Sequence, residues 1–261
     1  MIKNYLYIGI LIVVLSSCSG FEKIRKSSDY NMKYRKALEY YNKGDYNRAY
    51  TLLDEVAPLL RGSNSADTIN YYLAYSAYGQ KDYTLAGYHF SNFAQVYAYS
   101  PFAEESEYMA AYCYYLDSPG PSLDQENTMK AIETFKEFLR KSPQSKYAEK
   151  GKQYLSELQE KLVEKSFRSA KLYYDMENYK SSIVALKSSL EQYPSSKYRE
   201  ELMWYVVKSN YMMAENSIEA KRKERFQSTV DEYYSFISEF PKSEFKKDAD
   251  KIYEVSQKFI K

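Results

Sequence analysis

Few residues in this chain of 261 could do covalent or acid–base chemistry: two cysteines, Cys18 and Cys113, and a single histidine, His89. With so few nitrogen and sulfur donors, no zinc-ligand spacing exists. The eight glycines form no phosphate-cradling loop, and neither a nucleophile elbow nor a zincin motif is present. Carboxylates are plentiful, as at Glu104-Glu105 and Asp231-Glu232, but neighbouring acids on a helix point to different faces and read as solvated surface. The expectation is no catalytic residues, no metal and no cofactor. The 32 tyrosines are the unusual component. A tyrosine offers contact area, a hydroxyl and little rotamer entropy to lose, which suits binding better than catalysis.

The elements that must position these rings follow from a repeated pattern. An aromatic, a small residue three positions on and a tyrosine four further recur as Tyr34/Ala37/Tyr41, Tyr71/Ala74/Tyr78, Tyr108/Ala111/Tyr115, Phe167/Ala170/Tyr174 and Trp204/Val207/Tyr211. The central residues are 37, 37, 59 and 37 positions apart. Offsets of three and seven share one helical face, and a repeat of this length must stack on copies of itself to bury that face. Twelve residues after Ala37, Ala74 and Ala170 come Ala49, Ala86 and Ser182, each preceded at three positions by Tyr46, Tyr83 or Tyr179. Turn formers stand before those aromatics, at Gly44-Asp45, Lys81-Asp82 and Glu177-Asn178. The unit is helix, turn, helix. Pro101, Pro143, Pro194 and Pro241 close the second helices. The tails Pro143-Gln144-Ser145-Lys146-Tyr147, Pro194-Ser195-Ser196-Lys197-Tyr198 and Pro241-Lys242-Ser243-Glu244-Phe245 place a serine as the expected N-cap of the next helix.

These residues resemble the tetratricopeptide repeat over roughly residues 29 to 242, which implies an all-α solenoid of about five helix-turn-helix units. The 59-residue step places a loop at Asp117-Ser118-Pro119-Gly120-Pro121 and a long connecting helix over Ser145 to Phe167, where Tyr154, Leu155, Leu158 and Leu162 recur at helical spacing. Unit five carries an insertion around Ala214 to Glu224. Ser243 to Ile260 reads as a C-terminal capping helix with Phe245, Ala249, Ile252, Val255, Phe259 and Ile260 turned to the stack. The expected organisation is residues 29–143 for units one to three, then 144–261 for the connecting helix, units four and five, and the cap.

The N-terminus sets the compartment. Lys3 precedes an apolar run from Tyr5 to Leu15, too short for a spanning helix of ~20 residues and suited to a signal-peptide core. Leu15-Ser16-Ser17-Cys18 resembles a bacterial lipobox, which implies cleavage of residues 1–17 and acylation of Cys18. Residues 18–28 then form a lipid-anchored tether, and Cys113 is left as a buried thiol. Without residues 1–17 the chain keeps 36 basic and 35 acidic side chains, so no electrostatic footprint for nucleic acid exists.

Lipobox, five units, a split after the third and the Pro-x-Ser-x-aromatic tails together resemble the BamD (YfiO) family across the whole chain. The resemblance implies an outer-membrane location, lipid-anchored at the periplasmic face, with two kinds of partner: the periplasmic domains of the barrel-forming assembly subunit, and unfolded outer-membrane proteins. Tyr34, Tyr41, Tyr71, Tyr75, Tyr78, Tyr108, Tyr112 and Tyr115 are the candidate client-binding groove, although such rings could equally pack repeat against repeat. Lys221, Arg222, Lys223 and Arg225 are the candidate partner-binding cluster, with a solvated face as the plainer reading. Two other assignments fit the same residues: a tetratricopeptide lipoprotein scaffold of envelope maintenance or division, and a small-ligand or glycan-binding lipoprotein.

Overall fold

The hairpin turns of units one, two and four are built by one backbone device. Gly44, Lys81 and Glu177 adopt left-handed conformations, with φ of 76°, 63° and 59°. The next residue, Asp45, Asp82 or Asn178, caps the following helix by accepting a hydrogen bond from the amide of Arg48, Leu85 or Ser181. The computed structural model describes residues 20–261, and the expected signal peptide and Cys18 lie outside the described residues. The chain is all-α, with no strand among the described residues. Its helices are α1 (Tyr30–Asn42), α2 (Tyr46–Val56), α3 (Ala66–Gly79), α4 (Tyr83–Val96), α5 (Ala103–Leu116), α6 (Glu126–Lys141), α7 (Ala148–Asp175), α8 (Tyr179–Gln192), α9 (Arg199–Glu215), α10 (Glu219–Glu239) and α11 (Lys246–Ile260).

Two compact units result. The first takes residues 20–119 and 125–158, the second 120–124 and 159–261. In the first, α1 to α6 each pack on the next helix, and α1 also meets α3. In the second, α8 to α11 pack in the same succession, with α9 also meeting α11. The small residues of the repeat lie in the core. Ala37, Ala49, Ala74, Ala86, Ala111, Ala131, Ser182 and Val207 are fully buried, and Ala170 nearly so.

The tail aromatics have a definite partner. Phe102 stacks on Tyr71 at 4.3 Å, Tyr147 on Tyr108 at 4.5 Å, Tyr198 on Phe167 at 4.5 Å and Phe245 on Trp204 at 5.6 Å between ring centroids. Each tail thus closes onto the first aromatic of the triad in the repeat it terminates. Stacks of this kind add ~0.5 to 1.5 kcal/mol beyond buried area, so the pairing favours one register of hairpin on hairpin.

Two expectations are revised. The tail serine is not the N-cap: Tyr198 and Phe245 hold that position, without a side-chain cap bond. Ser145, Ser196 and Ser243 instead accept the amide of the residue two further on, at 3.1, 3.1 and 3.0 Å, which tightens the turn before the helix. The connecting helix does not stop near Phe167. No helix breaker occurs between Gly151 and the Glu177-Asn178 turn, so α7 runs unbroken for 28 residues and doubles as the first helix of unit four. The insertion in unit five, to which the sequence alone assigns no structure, is mostly helical: α10 starts at Glu219 and takes it up as extra N-terminal turns.

Candidate functional site

The tyrosine face lies in the first compact unit, on α1, α3, α5 and the first turns of α7. Its rings touch in sequence along the face. Tyr41 meets Tyr72 at 4.8 Å, Tyr71 meets Tyr72 and Tyr75, and Tyr75 meets Tyr78. Tyr108 stacks along Tyr112, and Tyr112 and Tyr115 both pack on Tyr154. Tyr34 packs against the first core cluster, around Ala37, Leu52 and Leu53. None of the eight groove candidates is exposed: Tyr108 is buried and the other seven are half-buried. The rings therefore serve packing between repeats, and seven of them keep part of their surface open.

Glu105, in the first turn of α5, organises the centre of this face. The Tyr71 hydroxyl donates to its Oε1 at 2.9 Å, and Tyr75 donates to the same oxygen. Burial works against the charged carboxylate, yet the bonds from Tyr75 and Tyr71, helped by the nearby Tyr147 hydroxyl and Lys146, outweigh it and hold the Glu105 pKa below its ordinary value. The donors respond in the opposite sense. Burial and then the bond to Glu105 push Tyr71 and Tyr75 upward. Burial pushes Tyr41 and Tyr112 up to about 12. Tyr115 also rises to about 12, chiefly through its bond to Glu157 at 2.6 Å. The adjacent Glu104 faces solvent and accepts from the Ser145 hydroxyl at 2.6 Å, so this acid pair is split between two faces as its helical position requires.

Sequence reasoning named the acid pair but missed the role of Glu105. It also left Tyr147 and Tyr154 off the face. The signals were present: Tyr147 ends a repeat tail, and Tyr154 lies one turn of helix beyond Gly151 on the stretch already read as helical.

The basic cluster is less free than its composition suggests. Arg222 lays its guanidinium 4.6 Å from the Phe259 ring centre and pairs weakly with Glu219 at 3.5 Å. Arg225 bonds the Met213 carbonyl and the Ser217 hydroxyl, tying α10 to the end of α9. Lys221 and Lys223 are the exposed members. So two of the four charges hold the fold and two face solvent.

Residues with other possible chemistry are accounted for by packing. Cys113 is fully buried, and burial with Asp117 adding pushes its thiol up to about 12. His89 shares a 3.1 Å hydrogen bond with the Tyr50 hydroxyl, and burial lowers its pKa, so the ring is neutral. Among the described residues no group of three or more histidine, cysteine or acidic side chains could hold a metal ion, and no helix is long and apolar enough to cross a membrane.

Comparison with known proteins gives a family. The family described as "YfiO: Outer membrane lipoprotein" matches residues 26–225 and, in a second overlapping match, 166–259. A protein of Aquifex aeolicus (strain VF5) with the provisional name outer membrane protein assembly factor BamD is 27% identical over 244 residues, spanning 93% of this chain and 78% of its own. Among solved structures, a TPR repeats protein from Bacteroides fragilis NCTC 9343 is 12% identical, covering 90% of this chain and 100% of its own with a TM-score of 0.40. A thermophilic TPR protein of Thermus thermophilus is 13% identical, covering 87% and 98%, with a TM-score of 0.32.

Proposed function

The chain belongs to the YfiO family of outer membrane lipoproteins, and from that premise we propose that it is a non-enzymatic scaffold of outer-membrane protein assembly. In this reading lipid on Cys18 anchors the protein at the periplasmic face. One surface holds the periplasmic domains of the barrel-forming assembly subunit, and another receives unfolded outer-membrane proteins. The observation that carries the reading is the family match, whose two segments together run from residue 26 to residue 259. The provisional name of the Aquifex relative supports it.

The client surface is assigned to the tyrosine face of the first compact unit. Since the hydroxyls of Tyr71 and Tyr75 are bound to Glu105, contact with an extended client falls above all to Tyr78 and Tyr112. The partner surface is assigned to α10, where Lys221 and Lys223 are the accessible cations. Charges on an interface rim act mainly on association rate, and an acidic partner would be steered to them.

Binding of a C-terminal outer-membrane-protein peptide to the purified protein tests the client assignment. Tyr78→Ala with Tyr112→Ala should weaken it by ~2 kcal/mol or more if the rings are interface anchors, with the helical signal retained. Unchanged affinity would remove this face from the account.

A further inference from the structure

Residues 20–25 do not leave the first hairpin. They form a helical turn, closed by bonds from the Lys26 amide to the Glu22 carbonyl and from the Ser27 amide to the Ile24 carbonyl, at 3.0 and 3.1 Å. Phe21 and Ile24 pack on the first core cluster. Phe21 meets Tyr40 edge to face at 5.7 Å, and the Arg48 guanidinium lies 5.5 Å from Phe21 and 5.6 Å from Tyr40. This turn caps the otherwise open end of the repeat stack, a role that repeat proteins usually give to a dedicated terminal element.

The seating of Phe21 determines how far the anchor can reach. Cys18 and Phe21 are three residues apart, a span of at most about 11 Å in extended chain. A lipid on Cys18 would therefore hold the capping turn at the bilayer surface. The turn presents cations there: Lys23, Arg25 and Lys26 are exposed, and Arg35 follows on α1. Arg25 pairs with Glu22 at 3.1 Å, whereas no acidic partner accompanies Lys23 or Lys26 among the described residues. Cations within this distance of a leaflet are drawn to anionic headgroups.

We infer that the turn 20–26 and the outer face of the first hairpin form a membrane-apposed surface, with Lys23 and Lys26 on anionic phospholipid headgroups of the leaflet that holds the Cys18 lipid. The inference rests on the lipid-anchor reading above. It makes the anchor an orienting device: the first hairpin has a fixed attitude to the membrane, which a free tether would not impose.

The test uses the full lipidated protein reconstituted in vesicles of phosphatidylethanolamine and phosphatidylglycerol, two to one, containing a headgroup-chelated nickel lipid. Ser28→Cys, two residues past the capping turn and exposed, carries a nitroxide, Cys113 being buried. The expected result is strong nickel relaxation of the nitroxide. Lys23→Glu with Lys26→Glu should reduce the apposed-to-free ratio about fivefold or more per lysine, from roughly 1 kcal/mol per cation at an anionic surface. Both lysines are exposed, so this variant keeps its melting temperature. Phe21→Ser should also release the label, and its melting curve shows whether the first hairpin remains folded. Protein that floats with the vesicles but shows weak relaxation, or relaxation unchanged by the double reversal and by replacing phosphatidylglycerol with phosphatidylcholine, overturns the inference. Protein that fails to float overturns the lipid-anchor reading, and this inference with it.

Discussion

Tyr198 lies face to face on Phe167, with ring centroids 4.5 Å apart and planes 1° from parallel. The same closure joins Tyr147 to Tyr108 and Phe245 to Trp204, so the stack is a repeat-defining contact. Truncating Tyr198 to alanine should lower stability by about 1 to 3 kcal/mol, from lost area and lost stacking together. Tyr198→Phe keeps both and should melt close to the native protein. Thermal unfolding followed by circular dichroism distinguishes them.

Lys81 occupies a left-handed conformation at φ 63°, which costs an L-residue with a Cβ about 1 kcal/mol. Its side chain is exposed, so little packing is lost on removal. Lys81→Gly should therefore raise the melting temperature, and Glu177→Gly, at φ 59°, should do the same. Gly44 already uses this solution in unit one.

Ala74 is fully buried between helices of unit two. Leucine there must displace packed neighbours, at ~1 to 3 kcal/mol. An unchanged melting curve for Ala74→Leu would contradict the placement of α3 against its neighbours.

The tyrosine face makes stability depend on pH at both ends. Glu105 has a folded pKa below its ordinary 4.5. Its contribution is therefore present above the unfolded value and is lost as pH falls through the lower folded one. Tyr41, Tyr112 and Tyr115 stand at about 12 against an ordinary 10.0. Their contribution is complete below 10 and is lost as pH rises toward 12. Melting temperature against pH should fall at both extremes, and Glu105→Gln should flatten the acid limb while leaving the alkaline one largely in place.

The repeat was legible because three signals coincided on the same residues: the aromatic/small/tyrosine triads, the turn formers before Tyr46, Tyr83 and Tyr179, and the prolines. Helical periodicity alone did not show where α7 ends, since no residue between Gly151 and Glu177 interrupts it. The tyrosine face was legible as a set of helical positions, but the contacts among its side chains were not. Tyr71 and Tyr75 share a helical face with spacing that any groove would have, and only the fold brings Glu105, 30 residues from Tyr75, under their hydroxyls. Arg222 likewise reads as one of a charged run until Phe259, far along the chain, is found beneath it. Phe21 and Ile24 were passed over as sparse apolar residues in a polar stretch, because a terminal cap needs only two side chains.

The central claim is that this chain is an assembly scaffold whose partner docks on α10, and photo-crosslinking in the native cell tests it most directly. A photo-reactive residue at Lys223, exposed on α10, would be activated and its adduct identified by mass spectrometry, with the same residue at Tyr78 as the client-side probe. The account predicts that Lys223 traps the barrel-forming assembly subunit through its periplasmic domains and that Tyr78 traps newly secreted outer-membrane proteins. Adducts at both positions with peptidoglycan-bound or division proteins, and none with a barrel-forming subunit, would contradict it.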